Sequence, residues 1–306
     1  MGSAFTGVLA AVALALAHAP GHSGGSAHSG GSGSSTSGST SSVAPDPAGQ
    51  AGALADSVTE LLRSRATVGR DISWPNCPPG MGIAARPTEG KPLPPASSRF
   101  VLVGLTNGPA FHPNPCLREQ VQYAETLHMW TAAYAVVTYP VPRQLAAYGD
   151  QGPFPAGTRA GRLGNTGYAQ AEQNVAWMKQ AGLESPIVWL DVETVRPPAP
   201  WSGDLTANRA VVEGAMKGYR DQGLQIGVYS TRYLFRGVVG DVAYGLPEWR
   251  TAGRQDRAAA LAMCRRNPIQ GGPAVLTQWY SADADFDLLC PGKPGSQVLT
   301  RYFSPH

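Results

Sequence analysis

The sequence predicts an α/β protein, an irregular TIM-type (β/α) barrel of eight strands with fewer than eight helices. Three observations carry this. Short apolar runs alternate with longer amphipathic stretches from residue 69 onward, the strand-like runs number eight, and the helical pattern thins in the last third. Strand–helix alternation implies parallel pairing through crossover helices. The roughly 240 residues left once the polar opening segment is set aside suffice for one such barrel.

The strand candidates are Gly69–Ser73, Phe100–Thr106, Thr131–Tyr139, Ile187–Glu193, Ile226–Thr231, a weak Trp249–Ala252, Ala274–Trp279 and Phe286–Leu289. Helical spacing marks Leu117–His128, Tyr168–Ala181, Thr206–Gln222 and Gln255–Arg265. Between them, Pro140–Gly167 is rich in Pro, Gly and polar residues, far longer than most strand-to-helix connections. Barrel sites form at the carboxyl ends of the strands, so this segment is expected to overhang the site as a loop that shapes the substrate groove.

The net charge of +3 is small and no run of Lys or Arg stands out, which excludes the basic footprint of a nucleic-acid binder. Ala4–Ala19 is apolar and ends in Ala17-His18-Ala19, the form of a secretory signal, and it is too short to anchor in a bilayer. Residues 20–50 hold little to bury and read as a Gly/Ser/Thr-rich linker. Leu54, Val58, Leu61 and Leu62 predict a short helix over 51–65. The expected organisation is a signal at 1–19, a linker at 20–50 and a single barrel domain at 51–306 with its core at 68–290. The expected product is secreted or wall-associated and monomeric.

In an exported chain the even set Cys77, Cys116, Cys264 and Cys290 predicts disulfides. Three pairings are possible; Cys77–Cys116 and Cys264–Cys290 are preferred because each pair flanks neighbouring elements. The spacings match neither a zinc site nor a Cys-x-x-Cys redox pair. Only His112 and His128 fall inside the folded part. No metal site is expected.

The most informative run is Pro186-Ile-Val-Trp-Leu-Asp191-Val-Glu193, an apolar strand ending in two carboxylates. Residues i and i+2 of a strand share one face about 7 Å apart, so both acids point to the barrel interior at its mouth while Val192 points into the helix layer. Each charge disfavours the other, which raises the pKa of whichever carboxyl keeps its proton. A raised carboxyl is what a general acid for glycoside cleavage requires. An isolated Asp-x-Glu is a common pattern, but here Asp71 lies in the first strand and Asp287 in the last, and those two strands adjoin in a closed barrel. The alternation Asp283, Asp285, Asp287 does not make a calcium loop, since Leu288 replaces the required Gly and Pro294 the bidentate Glu.

The ordered set Gly-Arg-Asp71-Ile-Ser, Val-Trp-Leu-Asp191-Val-Glu193, Gly227-Val-Tyr229-Ser-Thr, Trp249-Arg-Thr-Ala and Gln278-Trp279-Tyr280 with Asp287 resembles glycoside hydrolase family 25, the bacterial and phage lysozymes, over about residues 68–290. The resemblance implies an irregular eight-stranded barrel and hydrolysis of the β-1,4 bond between N-acetylmuramic acid and N-acetylglucosamine in peptidoglycan, with no metal or organic cofactor. It implies Glu193 as catalytic acid, Asp191 beside it orienting the substrate, Asp71 and Asp287 as the remaining acids, and Tyr134 and Tyr229 lining the groove. The second strand departs from the family pattern: a Lys-Ala-Thr-Glu-Gly-like ending is replaced by Gly104-Leu-Thr106-Asn107-Gly108, which loses a charge near the site. Strand one continues as Trp74-Pro-Asn-Cys77. Another bacterial glycan, or glycan binding without catalysis, is therefore the alternative. Trp74, Tyr139, Trp279 and Tyr280 are placed to stack on sugars or, equally for the two tryptophans, to pack; Trp130, Trp177 and Trp189 are expected in the core.

Overall fold

A computed structural model describes residues 67–194 and 201–306. The signal, the linker and the helix expected at 51–65 lie outside the described residues. Ten strands are present among those described: β1 (Val68–Ile72), a short hairpin of β2 (Gly82–Ile83) and β3 (Arg86–Pro87), β4 (Phe100–Gly104), β5 (Trp130–Val136), β6 (Ile187–Asp191), β7 (Gln225–Ser230), β8 (Glu248–Thr251), β9 (Ala274–Tyr280) and β10 (Asp285–Leu289). Eight of them close a barrel in the order β1-β10-β9-β8-β7-β6-β5-β4. All expected strands are present, and β1 and β10 are neighbours as anticipated.

The pairing is mixed, where the strand–helix alternation predicted parallel strands. β10 runs antiparallel to both β9 and β1. Only residues 281–284 join β9 to β10, and a parallel return needs a crossover of a dozen residues or more. A hairpin is the one connection that short a link allows.

Inside the barrel the two-residue period sorts side chains into two cores. Phe100, Leu102, Ala132, Ile187, Trp189, Trp249, Leu276 and Leu289 fill the interior, while Val101, Val103, Ala133, Val188, Leu190, Val192 and Val228 face the surrounding helices. Large interior rings are matched by glycine on the adjacent strand. A side chain on Gly69 would collide with Phe100, and one on Gly227 with Trp189.

The helices among the described residues are α1 (Leu117–Thr126), α2 (Pro142–Tyr148), α3 (Arg159–Ala181), α4 (Leu205–Asp221), α5 (Arg232–Val239), α6 (Arg257–Met263) and α7 (Gly295–Tyr302). Side-chain caps begin several: Asp204 accepts from the Thr206 and Ala207 amides of α4, and Thr231 from the Leu234 amide of α5. α7, which lies beyond the helices that the sequence predicts, closes the amino end of the barrel with Val298, Leu299, Tyr302 and the following Phe303, whose ring lies 4.9 Å from that of Phe100.

The segment expected as one long loop at 140–167 contains α2 and the first turns of α3. Glycine costs about 1 kcal/mol per helical position relative to alanine, so a stretch with Gly161, Gly164 and Gly167 reads as a loop. Here the glycines form a seam between α3 and α4: a Cβ on Gly167 would overlap the Val211 carbonyl oxygen, and one on Gly214 the Gly164 carbonyl oxygen. Close approach of the two backbones offsets the intrinsic helix cost. Asn165, fully buried in α3, holds the rest of the segment by donating to the Gly149 and Phe154 carbonyls and accepting from the Phe154 amide.

Where helices thin, a buried ion pair does the organising. Glu248 on the outer face of β8 is wholly buried and accepts from Arg250 Nε at 2.6 Å and from the amides of Ile269, Gln270 and Gly272. Arg250 donates onward to the carbonyls of Met263, Arg266 and Gly272, so residues 263–272 wrap around one charged pair. The cysteines pair as Cys77–Cys116 and Cys264–Cys290.

Two glycine substitutions test the seam. Gly214→Ala is expected to destabilise the protein by about 1–3 kcal/mol through overpacking. Gly237→Ala in α5, where the added methyl meets open space, is expected to be neutral or stabilising by up to about 1 kcal/mol. Chemical denaturation compares the two.

Candidate active site

The carboxyl ends of the parallel strands form one open mouth, and interior-facing acids from three strands gather there. β6 supplies Asp191 as its last residue, with Glu193 one pleat further out; both are half-buried, and Val192 between them is in the outer core as expected. β1 supplies Asp71, 8% exposed, and β10 supplies Asp287, 0% exposed. Asp285, one pleat nearer the opening on β10, is a fifth carboxyl that the sequence reading did not select as a site residue.

Asp71 Oδ2 accepts from Gln278 Nε2 at 2.9 Å, and Gln278 Oε1 accepts from the Tyr229 hydroxyl at 2.8 Å. Asp287 Oδ1 accepts from Trp249 Nε1 at 2.7 Å, deep in the interior. Asp287 Oδ2 is buried without a geometric hydrogen-bond partner, although Asp71 is close by. A proton held on Asp287 and directed at Asp71 satisfies both groups, since two adjoining buried carboxylates do not both ionise.

All five acids are shifted upward, and burial is the leading cause for each. Glu193 is pushed up to about 7. Asp285 is pushed up to about 8, with the Asp71 charge adding to burial and Lys91 and Arg70 opposing it. Asp191 is raised well above the carboxylate range by burial, then by Glu193 and Asp71, with Arg86 pulling the other way. Asp287 is raised by burial and by Asp71, and burial also raises Asp71 against the pull of its polar contacts. The Tyr134 and Tyr229 phenols, buried among these acids, are likewise raised and stay neutral.

Among the aromatic candidates, Tyr134, Tyr229 and Tyr280 stand on the interior face near the acids. Trp279 does not. It alternates with Gln278 and Tyr280, so it faces outward, stacked on Phe286 at 5.1 Å with Arg70 covering Phe286 on the outer wall. Trp74 lies half-buried in the 3-10 turn that follows β1. Trp201, which is not among the aromatic candidates of the sequence, donates its Nε1 to the Glu193 carbonyl at 2.6 Å and so holds the backbone that carries this acid.

A cation stands near Asp191 that comes from outside the barrel strands. Between β1 and β4 the chain makes an excursion tied down by Cys77–Cys116 and by Asn107, which accepts from the Ile83 amide at 2.6 Å and donates to the Arg86 carbonyl. Arg86 lies across Gly108, whose backbone has φ +77° and whose Cβ position is filled by the arginine side chain. Among the described residues, the titratable partner acting on Arg86 is Asp191, and the Arg86 Nε is buried with no hydrogen bond to any of them. Nothing in the local sequence signals this, because the contact joins a hairpin to a strand more than 100 residues away.

Raised acids leave a thermodynamic signature. Glu193 and Asp285 hold their protons more tightly when folded than when unfolded, so their contribution to stability is complete below about pH 4 and is lost as pH rises through about 7 and 8. The melting temperature is expected to fall between pH 5 and pH 8.5 in calorimetry, and Glu193→Gln is expected to flatten that fall.

Residues 159–249, from α3 to Trp249 and including Asp191, Glu193 and Tyr229, match the family model for lysozyme-like protein 1. Lysozyme-like protein 5 of Caenorhabditis elegans is 31% identical over 71 residues, which is 23% of this chain and 31% of that relative, so the match spans under a third of the relative's length. Among solved structures, the bacterial lysozyme of Streptomyces coelicolor superposes with a TM-score of 0.49 at 14% identity, covering 78% of this chain and 97% of that one. The family GH25 lysozyme of Aspergillus fumigatus gives 0.47 at 13% identity, covering 77% and 98%. The stretch that supplies Asp191 and Glu193 is thus similar in sequence to lysozyme-like proteins.

Proposed function

We propose that the protein is a secreted glycoside hydrolase, a muramidase that cleaves the β-1,4 bond between N-acetylmuramic acid and N-acetylglucosamine in peptidoglycan. The observation that carries this reading is the clustering of Asp71, Asp191 and Glu193 at one end of the barrel with Asp287 buried beside Asp71, and with Glu193 raised to about 7. The lysozyme-like match over residues 159–249 supports it. Both disulfides fit an oxidising compartment, and no described helix is long and apolar enough to cross a membrane.

In this reading Glu193, protonated in much of the population near neutral pH and the outermost acid of β6, gives its proton to the leaving glycosidic oxygen. Asp191, one pleat deeper, orients the substrate's N-acetyl group and opposes the positive charge that develops at the sugar ring. Arg86 is a positioning residue here: its charge favours the ionised form of Asp191 against the repulsion of Glu193 and Asp71. The Asp71–Asp287 pair, held by Gln278 and Trp249, keeps a fixed negative charge beneath the ring. Tyr134, Tyr229 and Tyr280 present aromatic edges and hydroxyls to the glycan.

Glu193→Gln is expected to abolish release of reducing ends from purified peptidoglycan while its melting temperature at pH 5 stays within about 2 °C of the parent. Undiminished release would defeat the assignment of Glu193. Cell-wall sedimentation without any release by the parent protein would favour a wall-binding role, and a preference for chitin or capsular polysaccharide over peptidoglycan would move the substrate. Arg86→Gln is expected to raise the pKa of Asp191 and so shift the acidic limb of the pH–rate profile upward by up to about one unit; an unmoved limb would remove Arg86 from the site.

A further inference from the structure

The family-like motif singles out Asp287 as the acid of the last strand, but β10 runs opposite to the seven other strands of the barrel. Strands parallel to β1 reach the mouth at their last residues; β10 starts there. Asp285 pairs with Tyr280, the final residue of β9, whereas Asp287 pairs with Gln278 and Gly69, one pleat deeper and about 7 Å further from the opening. Exposure follows depth, with Asp287 wholly buried and Asp285 half-buried.

Asp285 also stands in a particular place around the ring. In the closed order β1-β10-β9-β8-β7-β6-β5-β4, β10 and β6 are four places apart in eight, on opposite walls of the mouth. Glu193, just beyond β6, and Asp285, the first residue of β10, therefore stand on facing walls. Tyr280 and Tyr229 feel the charge of both. Asp287, with Trp249 on one oxygen and Asp71 beside the other, is already engaged below.

We propose that Asp285 is a substrate-contacting carboxyl, facing Glu193 across the groove, and that Asp287 is a positioning residue acting through Asp71 and Trp249. The inference rests on the hydrolase reading of this mouth and deepens it by assigning the second wall. A carboxyl on each side of a glycosidic bond is the arrangement that acid-assisted glycoside cleavage uses. At neutral pH Asp285 retains its proton and offers an O–H to a sugar hydroxyl or acetamido oxygen, so it takes a neutral, oxygen-rich ligand on that wall.

The test uses the full chain and Asp285→Asn, with chitotriose and a soluble peptidoglycan disaccharide as probes in titration calorimetry, and purified peptidoglycan for turnover. Asp285→Asn is expected to bind at least one of the probes about tenfold more weakly and to lower kcat/KM about a hundredfold, with near-UV circular dichroism unchanged. Parent-like binding and turnover in Asp285→Asn overturns the inference alone. A parent protein that binds the probes but releases no reducing ends removes the hydrolase reading, and the binding comparison then decides whether Asp285 touches glycan. A parent that binds neither probe overturns both. If Asp285→Asn fails to fold, Asp285→Glu, which keeps the acid, is compared with Asp285→Ser; equal affinities in that pair overturn the contact.

Discussion

Crowding of carboxyl groups at the mouth of a closed barrel is the constraint on which the rest of this structure turns. Five acids from β1, β6 and β10 share one volume that water reaches only from one side, so full ionisation there is prohibitively unfavourable. The barrel answers with neutral donors placed where charge would otherwise accumulate. Trp249 serves Asp287, and Gln278 serves Asp71 while being held by Tyr229. Protons retained by the acids themselves supply the remainder, which is also the state that acid catalysis needs.

Such a site destabilises the fold that carries it, and the surrounding architecture is correspondingly tight. Interior rings are seated against glycines, α3 and α4 meet backbone to backbone, and α7 closes the floor. The wall formed by β8 and β9 lacks a long covering helix between them, and there the Glu248–Arg250 pair gathers residues 263–272 into a compact cover. Breaking such a buried pair leaves an uncompensated charge at a cost of about 3–5 kcal/mol, which ties the integrity of this wall to two side chains.

The cation beside Asp191 illustrates how a site's electrostatics need not come from the strands that define it. The end of β4 carries no charge, and Gly104 lets Ser73 and Tyr134 close over it because no side chain fits between them. Arg86 arrives instead from the hairpin after β1, laid over Gly108 and clamped by Asn107. Gly108 leaves the space that the Arg86 side chain fills, while Gly104 leaves the space that Ser73 and Tyr134 fill.

Much of this was legible along the chain because it depends on local periodicity. The alternation in Ile187–Glu193 placed Asp191 and Glu193 on one face and Val192 on the other, and the position of each cysteine pair beside neighbouring elements favoured the observed disulfides. What the tertiary structure alone decided involves contacts between distant segments. The direction of β10 put Asp285 rather than Asp287 at the opening, the pleat of β9 turned Trp279 away from the groove, the α3–α4 seam made a helix from a glycine-rich stretch, and a hairpin carried Arg86 to Asp191. The Asp191–Glu193 motif is written in seven consecutive residues; its electrostatic setting is not, because burial and charge are properties of neighbours in space.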